Sequence, residues 1–277
     1  MNWRAGLLLV AMGLGVGMIS TSLGQRMASS EPVSVRHGSF TQLLERFVDP
    51  QGDVDYEALQ AQADSVLAPY LQDLATTRLA PLDREARLAF WINAYNAYTL
   101  KLIVDHYPVT SIRDIEGPPD GDTPFQRPVG PVADTVRTLD EIEHEIIRER
   151  FEEPRIHFAL VCAAKSCPRL RLEAYTGPRL DQQLDDQAHR FLHADRKNRI
   201  PADEEHVALS RILKWYGSDF GPTPAAVQQD LASYFEGSVR DSLSRGAYEV
   251  RFLPYDWTLN DQSLNWGEGD PNVRSGS

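Results

Sequence analysis

The stretch Leu88-Ala-Phe-Trp-Ile-Asn-Ala-Tyr-Asn-Ala-Tyr-Thr-Leu-Lys-Leu-Ile-Val104 decides the fold, because it is apolar around nearly its whole circumference. A helix with apolar residues on every side lies in the interior of a protein. Asp83 stands where it can cap this helix, and Glu85 lies in the first turn, where the helix dipole favours negative charge. Asn93 and Asn96 lie inside the run, and buried amides must find hydrogen-bond partners. The stretch therefore predicts a central buried helix.

Shorter helices are predicted on both sides of the central helix. Their signals are apolar residues at helical spacing, capping residues and a proline at the first helical position. Thr138-Leu139-Asp140-Glu141 is a capping box, in which the threonine and glutamate satisfy each other's backbone N–H groups. The predicted helices cover residues 40–48, 56–75, 138–150 and 179–193, with a further one starting at Thr223-Pro224.

Strands are predicted mainly in the second half of the chain. They cover His157–Cys162, His206–Leu209 and the alternating residues of Tyr248–Phe252, whereas Glu116–Pro131 is rich in Pro, Gly and Asp and predicts a surface loop. Helices come first and no regular βαβ alternation follows. The predicted fold class is therefore α+β, a helix-rich single domain in which the central helix packs on a small, mostly antiparallel sheet.

The N-terminus has the features of a secretory signal peptide. Arg4 supplies a positive charge, residues 5–19 are almost entirely apolar or Gly, and Ser22 and Gly24 suit cleavage before Gln25. The alternative is an uncleaved N-terminal anchor, which would be the chain's only link to a membrane. We expect a soluble body exported to the periplasm or secreted. The predicted organisation is a signal peptide over 1–24, a linker over 25–39, a domain over 40–262 and a disordered tail over 263–277.

The composition narrows the choice of partners. The formal net charge is −12, and no run of Lys and Arg alternates with aromatic residues, so nucleic acid is not an expected partner. No cofactor is predicted. His157, Cys162 and Cys167 are three candidate zinc ligands close together, but the cysteine spacing is wider than in usual zinc fingers, so no metal is predicted either. A protein partner is not specified by the sequence.

Both cysteines of the chain, Cys162 and Cys167, lie in the segment Arg155–Leu170, and His157 precedes the first of them. Two interpretations remain open. In an oxidising compartment, two cysteines are a candidate disulfide. A cysteine nucleophile instead needs a thiolate, stabilised by a nearby base or cation such as His157 or Lys165.

The sequence resembles a known family at several ordered motifs. Phe90–Leu100 resembles the signature helix of the DUF547 family, a domain of unknown function, and His157–Leu170 resembles its cysteine segment. Further matches are Val54-Asp55-Tyr56, Leu139–His144, Ile212–Tyr216 and Tyr255–Asn260. The resemblance covers most of the chain between Val54 and Asn260. It implies a single domain and supplies no reaction.

A more distant similarity concerns thiol enzymes. An α+β fold with a buried helix and a Cys/His/amide set is similar to papain-like and transglutaminase-like enzymes. Those enzymes place the cysteine at the start of the central helix, and here that helix has Asn93 instead.

The candidate catalytic residues follow from these motifs. Cys162 or Cys167 would be the nucleophile and His157 the base. The base would be oriented by Glu143, His144 or Asn93, and the buried amides would complete the site. The candidate ligand-binding residues are Asn96, Lys165, Trp215 and Tyr216, of which the last two would form the floor of a ligand pocket.

Three functional hypotheses result. The leading one is thiol-dependent acyl transfer or hydrolysis, or thiol exchange, on a small peptide or thiol-containing ligand. The alternative is a non-catalytic ligand- or protein-binding module in which a Cys162–Cys167 disulfide shapes a loop. In the third hypothesis, the same residues have only a structural role in the protein core.

Overall fold

The central helix runs over Arg84–His106 in the computed structural model, which describes residues 37–203 and 205–265. The Asp83 side chain accepts a hydrogen bond from the backbone N–H of Ala86 at 2.7 Å, which confirms the predicted cap. Every residue from Leu88 to Val104 except Lys101 is buried. The prediction of a central buried helix is therefore confirmed. The predicted signal peptide, most of the linker and nearly all of the tail lie outside the described residues.

Two helices are predicted before the central helix, and only the first forms as one continuous helix. Gly38–Phe47 confirms the first predicted helix. The single helix predicted over 56–75 is wrong, because the chain forms three short helices there, Tyr56–Gln60, Ala63–Val66 and Ala68–Thr76. The third of them has Pro69 in its first turn, where the ring's missing N–H costs no intrahelical hydrogen bond. Proline therefore starts a new helix instead of continuing the old one.

The capping box at Thr138 is present as predicted. The backbone N–H of Thr138 donates to Glu141 Oε2 at 2.8 Å, and that of Glu141 donates to Thr138 Oγ1 at 3.0 Å. The helix that follows has π geometry over Glu141–Arg148 and continues as α-helix over Glu149–Phe151. The wider turn was not predicted. Such turns are rare and often lie at functional sites.

Most of the other helices belong to the second half of the chain. Those predicted near 179–193 and at Thr223 are confirmed, and the Thr223 side chain accepts a hydrogen bond from Ala226 N. The remaining α-helices are Leu180–Leu192, Ile212–Trp215, Gly217–Phe220, Pro224–Leu231 and Gly237–Ser244. The 3₁₀ helices are Ile112–Asp114, Pro124–Gln126, Pro154–Phe158, Gly177–Arg179 and Ala232–Tyr234.

The strands form two separate pairs. Strands β1 (Pro128–Val132) and β2 (Thr135–Thr138) make an antiparallel hairpin, and β3 (His206–Leu209) and β4 (Glu249–Phe252) pair in parallel. The predictions for β3 and β4 are confirmed. The loop predicted over residues 116–131 is wrong where β1 and one 3₁₀ turn lie. The α+β class is confirmed, with helices as the larger part.

The strand predicted over His157–Cys162 is wrong. The chain forms the 3₁₀ helix Pro154–Phe158 and then continues without regular structure to the cysteines. Asn96 on the central helix explains why no neighbouring strand is needed, because its side chain donates to Ala159 O at 3.0 Å and accepts from Val161 N at 2.9 Å. A short apolar run indicates burial and does not by itself distinguish a strand from other buried segments.

Two hydrophobic clusters fill the interior. The larger surrounds the central helix, and the smaller lies between the helices of the second half and the β3–β4 pair. Cys162 and Trp257 pack against both clusters. The cysteine segment therefore lies where the two clusters meet. In the part of the chain that the structure describes, no helix is both long and apolar enough to span a bilayer.

Candidate functional site

Cys162 and Cys167 are joined by a disulfide. The short loop between them turns back so that the backbone N–H of Cys162 donates to Cys167 Sγ at 2.9 Å. Cys167 is only 3% exposed, whereas Cys162 is half-buried. The two sulfur atoms therefore differ in how easily a ligand reaches them.

The disulfide lines a cavity of about 300 Å³. We call this cavity the aromatic pocket, since six of its lining residues are Tyr95, Phe125, Trp215, Tyr216, Tyr255 and Trp257. The rings of Trp215 and Trp257 flank that of Tyr255, with centroids 4.8 and 4.7 Å away. Trp215 is 44% exposed, so part of the pocket wall faces solvent. An apolar cavity with a few polar groups is the usual form of a small-molecule site.

The Tyr255 hydroxyl contacts both sulfur atoms. Its oxygen lies 3.2 Å from Cys162 Sγ and 3.4 Å from Cys167 Sγ. Disulfide sulfurs carry no proton, so the hydroxyl is the donor. Burial, with the nearby carboxylates Glu143 and Asp256, holds the pKa of Tyr255 well above its usual value. Tyr255 therefore stays protonated and presents a hydrogen-bond donor to the disulfide at neutral pH.

Glu143 is the buried acidic group of the aromatic pocket, which the more exposed Asp140 also lines. The π-helix carries it into the interior, where it is 8% exposed. Burial and the negative charge and hydrogen bonding of this carboxylate raise the pKa of Tyr216, and the same causes raise that of Tyr95. The two hydroxyls stay protonated and satisfy the carboxylate. The pocket thus contains one buried acid within an aromatic wall.

His157 also lines the pocket, but its partner is Asp219. Its Nε2 lies 2.8 Å from Asp219 Oδ2, and its ring stacks on Tyr216 with centroids 4.0 Å apart. Burial lowers the pKa of His157, while Asp219 acts in the opposite direction. Asp219 receives two hydrogen bonds of 2.8 Å from Arg148, and mainly for that reason its pKa falls to about 2.

The structure brings together some of the predicted catalytic residues. Glu143, His157 and both cysteines line the same pocket, as do Trp215 and Tyr216. Within residues 37–203 and 205–265, however, no hydrogen bond joins His157 to a sulfur atom. His144 also lines the pocket, and its Nδ1 lies 3.0 Å from Arg148 Nη1. The predicted orienting role therefore falls to Asp219, which sequence reasoning missed.

The two buried amides do not face the aromatic pocket. Asn93 exchanges two hydrogen bonds with the backbone of Tyr175, at 2.8 and 2.9 Å. Asn96 holds the backbone that leads to Cys162, as described above. Both side chains use their amide groups to form hydrogen bonds with the main chain. Their observed contacts are those of positioning residues.

Lys165 points away from the disulfide. Its ammonium donates to Asp53 Oδ2 at 2.7 Å and to Asp261 O at 3.1 Å, and it lines a different cavity. In these contacts it fixes the cysteine loop to two distant segments. Among the described residues, no group of three or more His, Cys, Asp or Glu side chains is arranged to hold a metal.

These features define a class of protein, an α+β domain whose central helix holds a cysteine segment against an aromatic pocket. Residues 79–192 match the family model DUF547, described as a protein of unknown function. The matched region contains the central helix, Glu143 and both cysteines. Comparison with curated proteins and with solved structures gives no match.

Proposed function

We propose that the protein carries out thiol–disulfide exchange with a small thiol ligand bound in the aromatic pocket. One observation carries the proposal: the half-buried Cys162 lines the pocket, while the buried Cys167 has two hydrogen-bond donors at its sulfur. An attacked sulfur must be reachable, and a leaving sulfur benefits from groups that stabilise a thiolate. The two cysteines have these two different environments.

In the first step, the ligand thiol loses a proton and its thiolate attacks Cys162 Sγ. A ligand–Cys162 disulfide forms as the bond between the protein sulfurs breaks. Cys167 leaves as a thiolate with the electron pair of that bond. The N–H of Cys162 and the O–H of Tyr255 stabilise this charge.

In the second step, another ligand thiolate attacks the ligand sulfur of the mixed disulfide. The ligand disulfide is released, and Cys162 leaves as a thiolate. Two ligand thiols have then lost two electrons and two protons, and the protein disulfide has been reduced to a dithiol. The same steps in reverse reduce a ligand disulfide.

The pocket also limits the ligand. Its aromatic walls favour a ligand with an apolar or aromatic part, and its volume suits a small molecule or one end of a peptide. The buried Glu143 favours a neutral or cationic group over an anionic one. We therefore expect a small thiol or thiol-containing peptide without negative charge near its sulfur.

A rate measurement tests the proposal. The oxidised protein is mixed with 2-aminoethanethiol, and the protein thiols formed are alkylated and counted by intact mass. We expect reduction at least about tenfold faster than by 2-mercaptoethanesulfonate, after correction for their different thiolate fractions. Glu143→Gln should narrow this difference. Equal corrected rates for both thiols would refute selection by the pocket.

The contacts support exchange better than acyl transfer. Acyl transfer by a cysteine needs a free thiol and a base within reach, and here the sulfurs are joined and His157 engages Asp219.

A binding module without chemistry is the second candidate, favoured by the exposed face of Trp215. In that case the aromatic pocket would bind the same ligands as disulfides and thiols with equal affinity, and no mixed disulfide would form.

We also propose that the protein is exported. Export is supported by the positively charged, apolar N-terminus and by the disulfide, since disulfides persist in oxidising compartments. N-terminal sequencing of protein from the periplasm or medium should give Gln25 as the first residue. A protein that begins at Met1 or Asn2 in a membrane fraction would instead indicate an uncleaved anchor.

A further inference from the structure

A second, larger cavity also adjoins the disulfide loop. It has a volume of about 870 Å³, and Cys167 lines both this cavity and the aromatic pocket. We call it the basic cleft, because five cations line it and only two carboxylates do. The cations are Lys165, Arg169, Arg190, Arg196 and Lys197, and the carboxylates are Asp53 and Asp195. Such a local excess of positive charge stands out in a chain whose net charge is −12.

Two of these cations are paired with carboxylates. Lys165 pairs with Asp53, and Arg190 pairs with Asp186 at 2.8 Å. By contrast, Arg169 donates to the carbonyl oxygen of Pro50 at 2.7 Å, and the ammonium of Lys197 donates to that of Cys167.

Arg169 and Lys197 form no ion pair within the described ranges. Both side chains are half-buried, so their charges are partly removed from water. A charge in such a place gains most from an anionic partner.

The surroundings of Lys197 disfavour its positive charge. Burial, together with the positive charges of Arg169 and Lys165, lowers its pKa to about 7, while Asp53 acts in the opposite direction. Arg190, Arg196 and Asp195 also face the cavity. A lysine with so low a pKa is partly neutral at physiological pH, and an anion bound beside it would restore its proton.

We propose that the basic cleft binds a small organic molecule through an oxyanion held between Arg169 and Lys197. The planar guanidinium can hold two oxygens of such a group, and the ammonium supplies a third donor. A carboxylate, sulfate or phosphate group shares this chemistry, and the rest of the cavity accommodates the body of the molecule. The site is separate from the aromatic pocket and does not depend on thiol exchange.

Sulfate is the best probe of this site, since its charge does not change between pH 6 and 8.5. Binding is measured by calorimetry against sodium chloride at equal ionic strength. We expect binding to be several-fold tighter at pH 6 than at pH 8.5, because Lys197 loses its proton in that interval. A matched titration with phosphate and acetate then shows which oxyanion the cleft prefers.

Variants separate the two cations. Lys197→Met should weaken sulfate binding at pH 6 about tenfold and remove its pH dependence. Arg169→Gln should weaken binding at both pH values and move the transition to higher pH, because Arg169 lowers the pKa of Lys197. Arg78→Gln, an exposed change of the same charge elsewhere, should leave binding unchanged.

A second measurement needs no variant. The chemical shift of the Lys197 Cε carbon is followed against pH with and without sulfate, and we expect sulfate to raise the apparent pKa. The proposal is overturned if sulfate binds no better than chloride, or if the Lys197 titration is the same with and without it. It is equally overturned if Arg78→Gln weakens binding as much as the changes in the cleft.

Discussion

Tyr255 is the residue on which the exchange chemistry depends most directly. Its hydroxyl lies within 3.4 Å of both sulfurs and cannot ionise at neutral pH. It therefore gives hydrogen bonds to whichever sulfur becomes a thiolate. Because Tyr255 is buried, a hydrogen bond from its hydroxyl is electrostatically stronger than it would be in water.

Tyr255→Phe should slow reduction of the disulfide by 2-aminoethanethiol about tenfold, because a hydrogen bond to the departing thiolate is lost. In the reduced protein it should also raise the pKa of the Cys167 thiol, measured as the pH dependence of alkylation. Tyr248→Phe is the matched control, since that hydroxyl donates to Pro201 O away from the pocket. Equal rates for the two variants would contradict the role of Tyr255.

The buried His37 makes the free energy of unfolding depend on pH. Burial lowers its pKa from 6.5 to about 4, so the unfolded chain binds a proton that the folded protein does not. Stability is then complete above pH 6.5 and falls as the pH drops towards 4, by on the order of 3 kcal/mol in all. Urea unfolding at pH 7.5 and 4.5 should show a smaller loss for His37→Gln than for wild type. An identical loss would exclude His37 as a cause.

At the scale of single residues, the sequence indicated the cysteines and His157 because they stand in the motif His157–Leu170, and Glu143 because it stands in the motif Leu139–His144. It did not indicate Asp219 as the partner of His157, since 62 positions separate them and no spacing rule connects them. The sequence indicated Tyr255 only as part of the motif Tyr255–Asn260. Its role depends on where the chain folds back, which no local pattern contains.

At the scale of elements, the central helix positions the cysteine segment through Asn96. The side chain supplies two hydrogen bonds that a neighbouring strand would otherwise make. This explains why a segment with a strand-like apolar pattern has no regular structure. The sequence predicted that Asn96 needs partners, but it could not show that those partners are the backbone of Ala159 and Val161.

Asn96→Ala should lower the free energy of unfolding by about 2 to 5 kcal/mol, because two buried backbone groups lose their partners. It should also slow thiol exchange, since Cys162 follows directly. Thr99→Ala is the control: that hydroxyl bonds only Tyr95 O within the same helix, and its loss should cost about 1 kcal/mol. Urea unfolding measures both. Equal losses for the two variants would contradict the positioning role.

At the scale of the whole molecule, the helix-rich α+β fold and the buried helix could be predicted, because apolar periodicity and capping signals are local. Two features could not be predicted, because they depend on contacts between distant segments. They are the break of the helix predicted over 56–75 and the pairing of β3 with β4. The family match includes the cysteine segment and excludes Trp215, Tyr255 and Trp257. The aromatic pocket therefore combines the matched region with later parts of the chain.

The disulfide contributes little to the stability of this fold. It closes a very short loop, which corresponds to about 2 kcal/mol at most. The Cys162→Ser, Cys167→Ser double variant should therefore remain folded and unfold in one transition, shifted by no more than that amount. Urea unfolding by circular dichroism checks this. An unfolded double variant would show that the disulfide is a structural staple instead of a reactive group.

Trapping the mixed disulfide tests the central claim most directly. Cys167→Ser and Cys162→Ser proteins, each with one thiol, are incubated with 2-aminoethanethiol disulfide and their intact masses are followed over time. The account predicts a rapid adduct on Cys162 in the Cys167→Ser protein, and a much slower one on Cys167 in the Cys162→Ser protein. Equal rates for the two variants, or a faster adduct on Cys167, would contradict the proposed exchange at Cys162.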